Sequence, residues 1–271
     1  MNLTVLQSVF LGIVQGLTEL LPISSSAHLT VLPWLMWNIE DIGAFDVALH
    51  AGTLLAIGIF FFKDWINLLK GTYKNVFKKE KTFEGKMFLY LVLATIPGGL
   101  IGFVLDDKLD LFLETKGIVA SVSVIASALI VMGILLYFID KKAKSEIKYE
   151  NMNLKQTFII GLSQALAFIP GVSRSGVTMT TARAMGIERE SAAKYSFMLS
   201  APIVLAATML KLLKGEFVFC ASFFAGVFAS FIVGILVIKF LLKYLQKGSF
   251  KGFAIYRVLF GLLIFAKVLF F

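Results

Sequence analysis

The sequence predicts an all-α protein, a polytopic membrane helical bundle of six transmembrane helices and two re-entrant helix pairs in an inverted-topology repeat. Three observations carry that prediction. Hydrophobic residues make up 58% of the 271, only 16% are charged and the mean hydropathy is +0.87, more apolar than a water-soluble core of this length requires. The apolar runs are about 20 residues long, the length of a membrane-spanning helix, rather than the short alternating strands of a barrel. Finally, a polar stretch interrupted by proline occurs twice, once in each half of the chain.

Taken in order, residues 1–271 read as one membrane domain with repeat halves at about 1–139 and 153–271. No basic region and small-residue cleavage site open the chain, so no cleaved signal peptide is expected. Residues 1–62 contain no lysine or arginine but include Glu19, Glu40, Asp41 and Asp46, so their loops are expected outside. A span over 45–62 leads to seven lysines (Lys63, Lys70, Lys74, Lys78, Lys79, Lys81 and Lys86), which should be cytoplasmic. A span over 87–105 reaches an acidic loop at 106–116, and 117–139 returns to a basic loop with Lys141, Lys142, Lys144, Lys148 and Lys155. The run 157–170 is too short to span and ends at Pro170-Gly171, before a charged stretch with Arg183, Arg189 and Lys194, so it enters and leaves on one side. Spans over 195–213, 217–241 and 253–271 complete the chain. The net charge of +9 then reads as an orientation and anionic-lipid signal, and no nucleic-acid partner is expected. Cys220 lies in an apolar run and reads as packing; Lys239, Arg257 and Lys267 fall near span ends and read as snorkelling side chains.

The repeat is explicit. Gly12 to Ser26 reads G-x-x-Q-G-L-T-E-L-L-P-I-S-S-S, and Gly161 to Ser175 reads G-x-x-Q-A-L-A-F-I-P-G-V-S-R-S, with a one-residue slip before the proline. One hairpin enters from outside and the other from inside, so half-helix ends should meet near the midplane, sheltered from lipid.

Those ends carry the chemistry. Gln15 and Glu19 are four apart and share a helix face; Pro22 withholds a backbone donor, and the serines after it offer caps for a new helix. Helix N-termini expose free N–H groups and partial positive charge, so two that converge make an anion site, phosphate being the usual occupant. Arg174 adds a guanidinium able to grip two phosphate oxygens; the competing reading is a structural Arg174–Glu19 ion pair. Ser24 and Ser25 lie four and three residues before His28, so a hydroxyl and the imidazole can share one face, as phosphoryl or acyl transfer needs. The competing reading there is serines that cap and a histidine that packs. His50 can bond into the polar centre, although a packed role fits it better than a catalytic one.

Gln15-Gly-Leu-Thr-Glu19-Leu-Leu-Pro22-Ile-Ser-Ser-Ser-Ala-His28 and Pro170-Gly-Val-Ser-Arg174-Ser-Gly176 closely resemble the two signature motifs of the undecaprenyl-diphosphate phosphatases, also called bacitracin-resistance proteins. The resemblance covers essentially the whole chain in length, span count and repeat order. It implies hydrolysis of a C55 polyprenyl diphosphate to the monophosphate carrier of cell-wall synthesis and inorganic phosphate, by an enzyme of the cell inner or plasma membrane whose site faces the outer, periplasmic surface. The implied catalytic residues are Glu19, Ser25, His28 and Arg174, with either Ser25 Oγ attacking and His28 as base, or His28 attacking directly. Gln15, Ser24, Ser26, Ser173 and Thr178 are the expected substrate contacts. Glu19, with Gln15 where the family has Glu or Gln, would hold a Mg²⁺ or Ca²⁺ ion bound largely by the diphosphate itself. The expected partners are the prenyl lipid and the bilayer, and such a chain is compatible with a homodimer.

Two rival classes stand beside this reading. A lipid-carrier flippase or secondary transporter shares the inverted repeat, yet transport alone needs no nucleophile beside a base. The acid-phosphatase-like lipid phosphatases use an arginine followed downstream by histidine and aspartate, and no histidine follows Arg174.

Overall fold

The computed structural model describes residues 3–39 and 42–270, and of residues 103, 105–114 and 116 only the backbone. Glu40 and Asp41, and the side chains of the acidic stretch 106–114 used in the outward assignment, lie outside the described residues. Among the described residues the elements are helices, with one isolated parallel bridge between Ile147 and Ile187.

Each half opens on a helical hairpin that starts in the same way. Helix α1 (Val5–Thr18) is capped by Thr4, whose hydroxyl accepts from the Gln7 N–H while the Gln7 side chain accepts from the Thr4 N–H. Asn153 and Gln156 build the same reciprocal box at the equivalent place. Two otherwise unsatisfied N–H groups are met at each entry. The first hairpin returns as α2 (Ser25–Trp37), and α3 (Ala44–Phe60) bends by 70° into α4 (Phe62–Phe77). Helices α5 (Phe83–Lys116) and α6 (Ile118–Lys142) complete the first half. The second half repeats the order: α7 (Leu154–Ser163) runs into a 3₁₀ turn at Gln164–Phe168, then α8 (Arg174–Ala184), α9 (Arg189–Leu213), α10 (Ala221–Leu245) and α11 (Lys251–Phe270).

Helices α5, α6, α9, α10 and α11 are long and apolar enough to cross a membrane, and the bent α3–α4 pair makes a sixth if counted as one span. Five to six candidate spans thus answer the six expected, and two short helical hairpins stand where the re-entrant pairs are expected, with one correction: 106–116 is not a loop but a continuation of α5. No proline or glycine interrupts that stretch, and Gly117, with φ of 79°, ends the helix.

The halves interlock rather than lie side by side. Helix α1 packs against α10 of the other half, and α7 against α5. Both contacts are made at the repeat glycines. A Cβ on Gly12 would collide with the Gly226 carbonyl and one on Gly161 with the Ala94 carbonyl, so only glycine admits the partner backbone.

A buried charge cluster fastens the lysine-rich end. Asp140 of α6, 3% exposed, accepts from Arg183 Nε and Arg189 Nε, both at 2.8 Å, and from the Phe250 N–H at 3.2 Å. Lys194 at the start of α9 pairs with Asp64 of α4 at 2.7 Å, which places the α3–α4 bend at this same end. The hairpin of the second half starts and finishes here; α2 and the start of α3 lie at the opposite end.

Arg257 overturns its expected snorkelling. It is fully buried and donates to the carbonyls of Pro22 at 3.1 Å and of Gly171 and Val172 at 2.8 Å each. The helix breaks leave these carbonyls without helical partners, and a guanidinium supplies donors that no lipid headgroup replaces.

Candidate active site

The site is where the two breaks meet. Glu19 caps α1, its N–H still donating to the Gln15 carbonyl at 3.0 Å, and after Pro22 the backbone turns through Ser24 at φ 75° and ψ 96°. In the second hairpin Gly171 takes φ 93° and Ser173 takes φ 70° and ψ 117°. Positive φ at a non-glycine residue costs free energy, of order 1–3 kcal/mol. Both serines offset part of it as N-caps: Ser24 Oγ accepts from the Ala27 N–H at 3.4 Å, and Ser173 Oγ from the Gly176 N–H at 3.0 Å. Each is 3.2 Å from the hydroxyl two residues on, Ser26 or Ser175. Ser175 Oγ also donates to the Leu21 carbonyl at 3.0 Å, stitching one break to the other. The N-termini of α2 and α8 thus start side by side.

Between them lies a cleft of about 240 Å³. Its polar wall is Glu19, Ser25, Ser26, His50, Ser173, Arg174 and Ser175; Val47, Ala167, Ile203, Val204 and Ala207 form the apolar side. Glu19, only 6% exposed, is the hub. Its Oε1 is ion-paired to Arg174 Nη2, and its Oε2 accepts from Ser25 Oγ at 2.6 Å and from Gln15 Nε2 at 3.3 Å and lies 3.1 Å from His50 Nε2. The Arg174–Glu19 pair is therefore real, yet Arg174 is not used up by it. Its Nη1 is buried with no partner, a donor that a bound anion would satisfy.

The structure brings Glu19, Ser25, Ser26, Ser173 and Arg174 to the cleft wall and leaves Gln15, Ser24, His28 and Thr178 off it. Gln15 is fully buried behind Glu19. Ser24 serves as a cap. Thr178, 1% exposed, donates to the Arg174 carbonyl at 2.8 Å and meets Ser196 Oγ at 2.7 Å, so its hydroxyl is used in packing α8 onto α9.

The expected Ser25–His28 pair is not formed. His28 is 4% exposed and stacked on the rings of Tyr256 and Phe260, with centroids 5.7 and 4.5 Å away. Its Nδ1–H donates to the Ser24 carbonyl at 2.7 Å, which leaves Nε2 to accept from the Tyr256 hydroxyl at 2.6 Å. In its place the cleft holds His50, whose Nδ1–H donates to the Asp46 carbonyl at 2.9 Å. The sequence carried a signal for this residue: Asp46 and His50 are four apart on α3, and both are polar at the entry of an apolar span. Ser175 is the polar cleft residue that the sequence reading does not single out, although the repeat aligns it with Ser26.

Among the described residues no cluster of three or more His, Cys, Asp or Glu side chains is fit to hold a metal ion. Glu19 is the carboxylate on the cleft wall, while Gln15 is fully buried and turns its amide nitrogen, not its oxygen, to Glu19, so as arranged these two residues leave Glu19 alone to meet an ion.

The chain resembles known proteins over nearly its whole length. The model of the family described as bacitracin resistance protein BacA matches residues 8–263. The chain is 46% identical over 264 residues to a protein of Pelotomaculum thermopropionicum named undecaprenyl-diphosphatase, covering 96% of this chain and 95% of that one. It is 43% identical over 270 residues, 97% of each chain, to a protein of the same name from Caldicellulosiruptor bescii. A match of this extent, reaching through both hairpins and every long helix, makes the chain a member of the bacitracin resistance protein BacA family.

Proposed function

We propose that this chain is a membrane undecaprenyl-diphosphatase, which hydrolyses undecaprenyl diphosphate to undecaprenyl phosphate and inorganic phosphate and so returns the lipid carrier to cell-wall synthesis. One observation carries the reading: the unpartnered Nη1 of Arg174 at a cleft framed by two helix N-termini, where a diphosphate would meet a guanidinium and free N–H groups together. The cleft is smaller than the roughly 300–1,000 Å³ of sites that enclose a drug-sized ligand, which suits a headgroup whose prenyl tail runs out into lipid past Ile203, Val204 and Ala207.

The residues divide the reaction as follows. Arg174 and the N-terminal turns of α2 and α8 bind the diphosphate and stabilise charge on the transferred phosphoryl group. Ser25 Oγ is the attacking group, and Glu19, 2.6 Å away, takes its proton. The bond from phosphorus to the bridging oxygen breaks and undecaprenyl phosphate leaves with the proton from Glu19; Glu19, again a carboxylate, takes a proton from the water that displaces phosphate from Ser25 and hands it back to Ser25 Oγ. His50 and Gln15 hold the Glu19 carboxylate in place. His28 orients the first turn of α2 through Ser24. A divalent cation, Mg²⁺ or Ca²⁺, carried in on the diphosphate and held on the protein side by Glu19, would add neutralising charge. We place the protein in the plasma membrane with the cleft open to the outside, on the distribution of lysines.

The test is phosphate release from a prenyl diphosphate by the purified protein in detergent, with and without chelator. Release that Arg174→Ala abolishes supports the assignment; none by folded wild-type protein overturns it.

A further inference from the structure

The mechanism so far leaves Arg257 unused, although from outside both breaks it donates to the backbone of each. A buried guanidinium ordinarily faces a carboxylate. The hydrogen-bond acceptors of Arg257 are main-chain carbonyls: Pro22 in the first break, Gly171 and Val172 in the second, and Leu129 of α6 at 3.4 Å. Pro22, Gly171 and Val172 are the residues just before the two N-caps, Ser24 and Ser173.

Its place in the repeat explains this reach. Helices α6 and α11 pack as equivalents. A Cβ on Gly133 would lie 3.0 Å from the Ala254 carbonyl, and one on Gly261 would lie 2.8 Å from the Ala126 carbonyl. The same sequence offset pairs Gly133 with Gly261, Ala126 with Ala254, and Leu129 with Arg257. Arg257 therefore faces its own repeat counterpart, at the approximate twofold axis, from which one side chain can serve both hairpins. The fit is close on the α8 side, where a Cβ on Gly176 would come within 2.5 Å of Arg257 Nη1.

We propose that Arg257 is a positioning residue that clamps the two breaks to each other and so sets the spacing of the α2 and α8 N-termini around one diphosphate. The proposal rests on the reading of the breaks as a single anion site. Three carbonyls on two segments need the planar fork of arginine; an ammonium is a point charge and cannot bridge them in the same way.

The experiment compares Arg257→Leu, Arg257→Lys and the exchange Arg257→Leu/Leu129→Arg, each purified in detergent and assayed for phosphate release from a prenyl diphosphate. Arg257→Leu and Arg257→Lys should lose kcat at least a hundredfold while KM stays within about threefold, and the exchange should recover at least tenfold, because the repeat presents the same carbonyls to position 129. Near-normal kcat in Arg257→Lys, or no recovery in a folded exchange variant, overturns the proposal. If Arg257→Leu does not fold, Gly176→Ala gives the reading instead: its Cβ displaces the guanidinium, and unchanged kcat overturns the clamp. A readout free of activity separates this from failure of the assigned reaction. Spin labels at Leu17→Cys and Ile169→Cys, both exposed, in a Cys220→Ser background span the two breaks. Arg257→Leu should broaden their distance distribution, and an unchanged distribution overturns the clamp even if wild-type protein releases no phosphate.

Discussion

Arg174 occupies two roles that a single substitution can separate. Paired with Glu19 through Nη2, it balances a carboxylate that burial would otherwise penalise; its Nη1 is buried and unpartnered in a residue that lines the cleft. Lysine keeps the charge and can still face Glu19, but it loses the fork that engages a second oxygen. Arg174→Lys is therefore expected to fold and insert, to bind prenyl lipid, and to turn over at least a hundredfold more slowly, the loss of one transition-state contact worth about 2.7–4 kcal/mol. Near-normal turnover in a stable Arg174→Lys protein makes the residue structural. His50 is the subtler case, because it meets the carboxylate and not the cleft alone. With leucine there, Glu19 Oε2 keeps Ser25 and Gln15 but loses its third neighbour. His50→Leu should lower kcat by roughly tenfold, about 1.4 kcal/mol of barrier, with KM little altered. Steady-state kinetics in detergent decide it, and a loss confined to KM would make His50 a binding contact.

At the level of elements, the breaks work because two serines hold backbone that serine disfavours. Ser173 has φ of 70° and caps the Gly176 N–H, so its replacements separate two costs. Glycine loses the cap and accepts the φ; alanine loses the cap and keeps the strain. Stability to heat in detergent should thus fall in the order wild type, Ser173→Gly, Ser173→Ala, with the cap itself worth about 1 kcal/mol. A more stable alanine variant would contradict the backbone geometry. This same backbone explains what could be read from the sequence and what could not. Pro22, Pro170 and the flanking serines announce a break, and the paired motifs announce two. The spacing of Ser25 and His28 suggested a shared face, but residues three apart still diverge by about 60° around a helix, and what each meets is set by neighbours from other segments that residue spacing does not show. Here Ser25 meets Glu19 and His28 meets Tyr256. Arg257 was illegible for a related reason: its acceptors are backbone carbonyls that exist only once both breaks have folded, and carbonyls leave no trace in residue type. The continuation of α5 through 106–116 was hidden by its charges, which resemble a loop although nothing in the stretch ends a helix.

For the molecule as a whole, orientation follows from charge and from where the cleft lies along the bundle. The Asp140–Arg183–Arg189 cluster and the Lys194–Asp64 pair mark one end, to which α4 and the turns after α6 and before α11 bring their lysines. The cleft is nearer the other end: Val47 and His50 lie within the first two turns of α3, and Ile203, Val204 and Ala207 within the last three of α9. A lysine-rich end belongs in the cytoplasm, so the cleft should be reached from outside. Single cysteines in a Cys220→Ser background test this at exposed positions, Asn38 and Lys214 for the cleft end and Lys79 and Lys148 for the basic end. An impermeant thiol reagent should label Asn38→Cys and Lys214→Cys in intact cells, and Lys79→Cys and Lys148→Cys only after permeabilisation. The converse pattern would turn the whole bundle over. The charges would then fail as an orientation signal, and the diphosphate would have to be presented from the cytoplasmic leaflet.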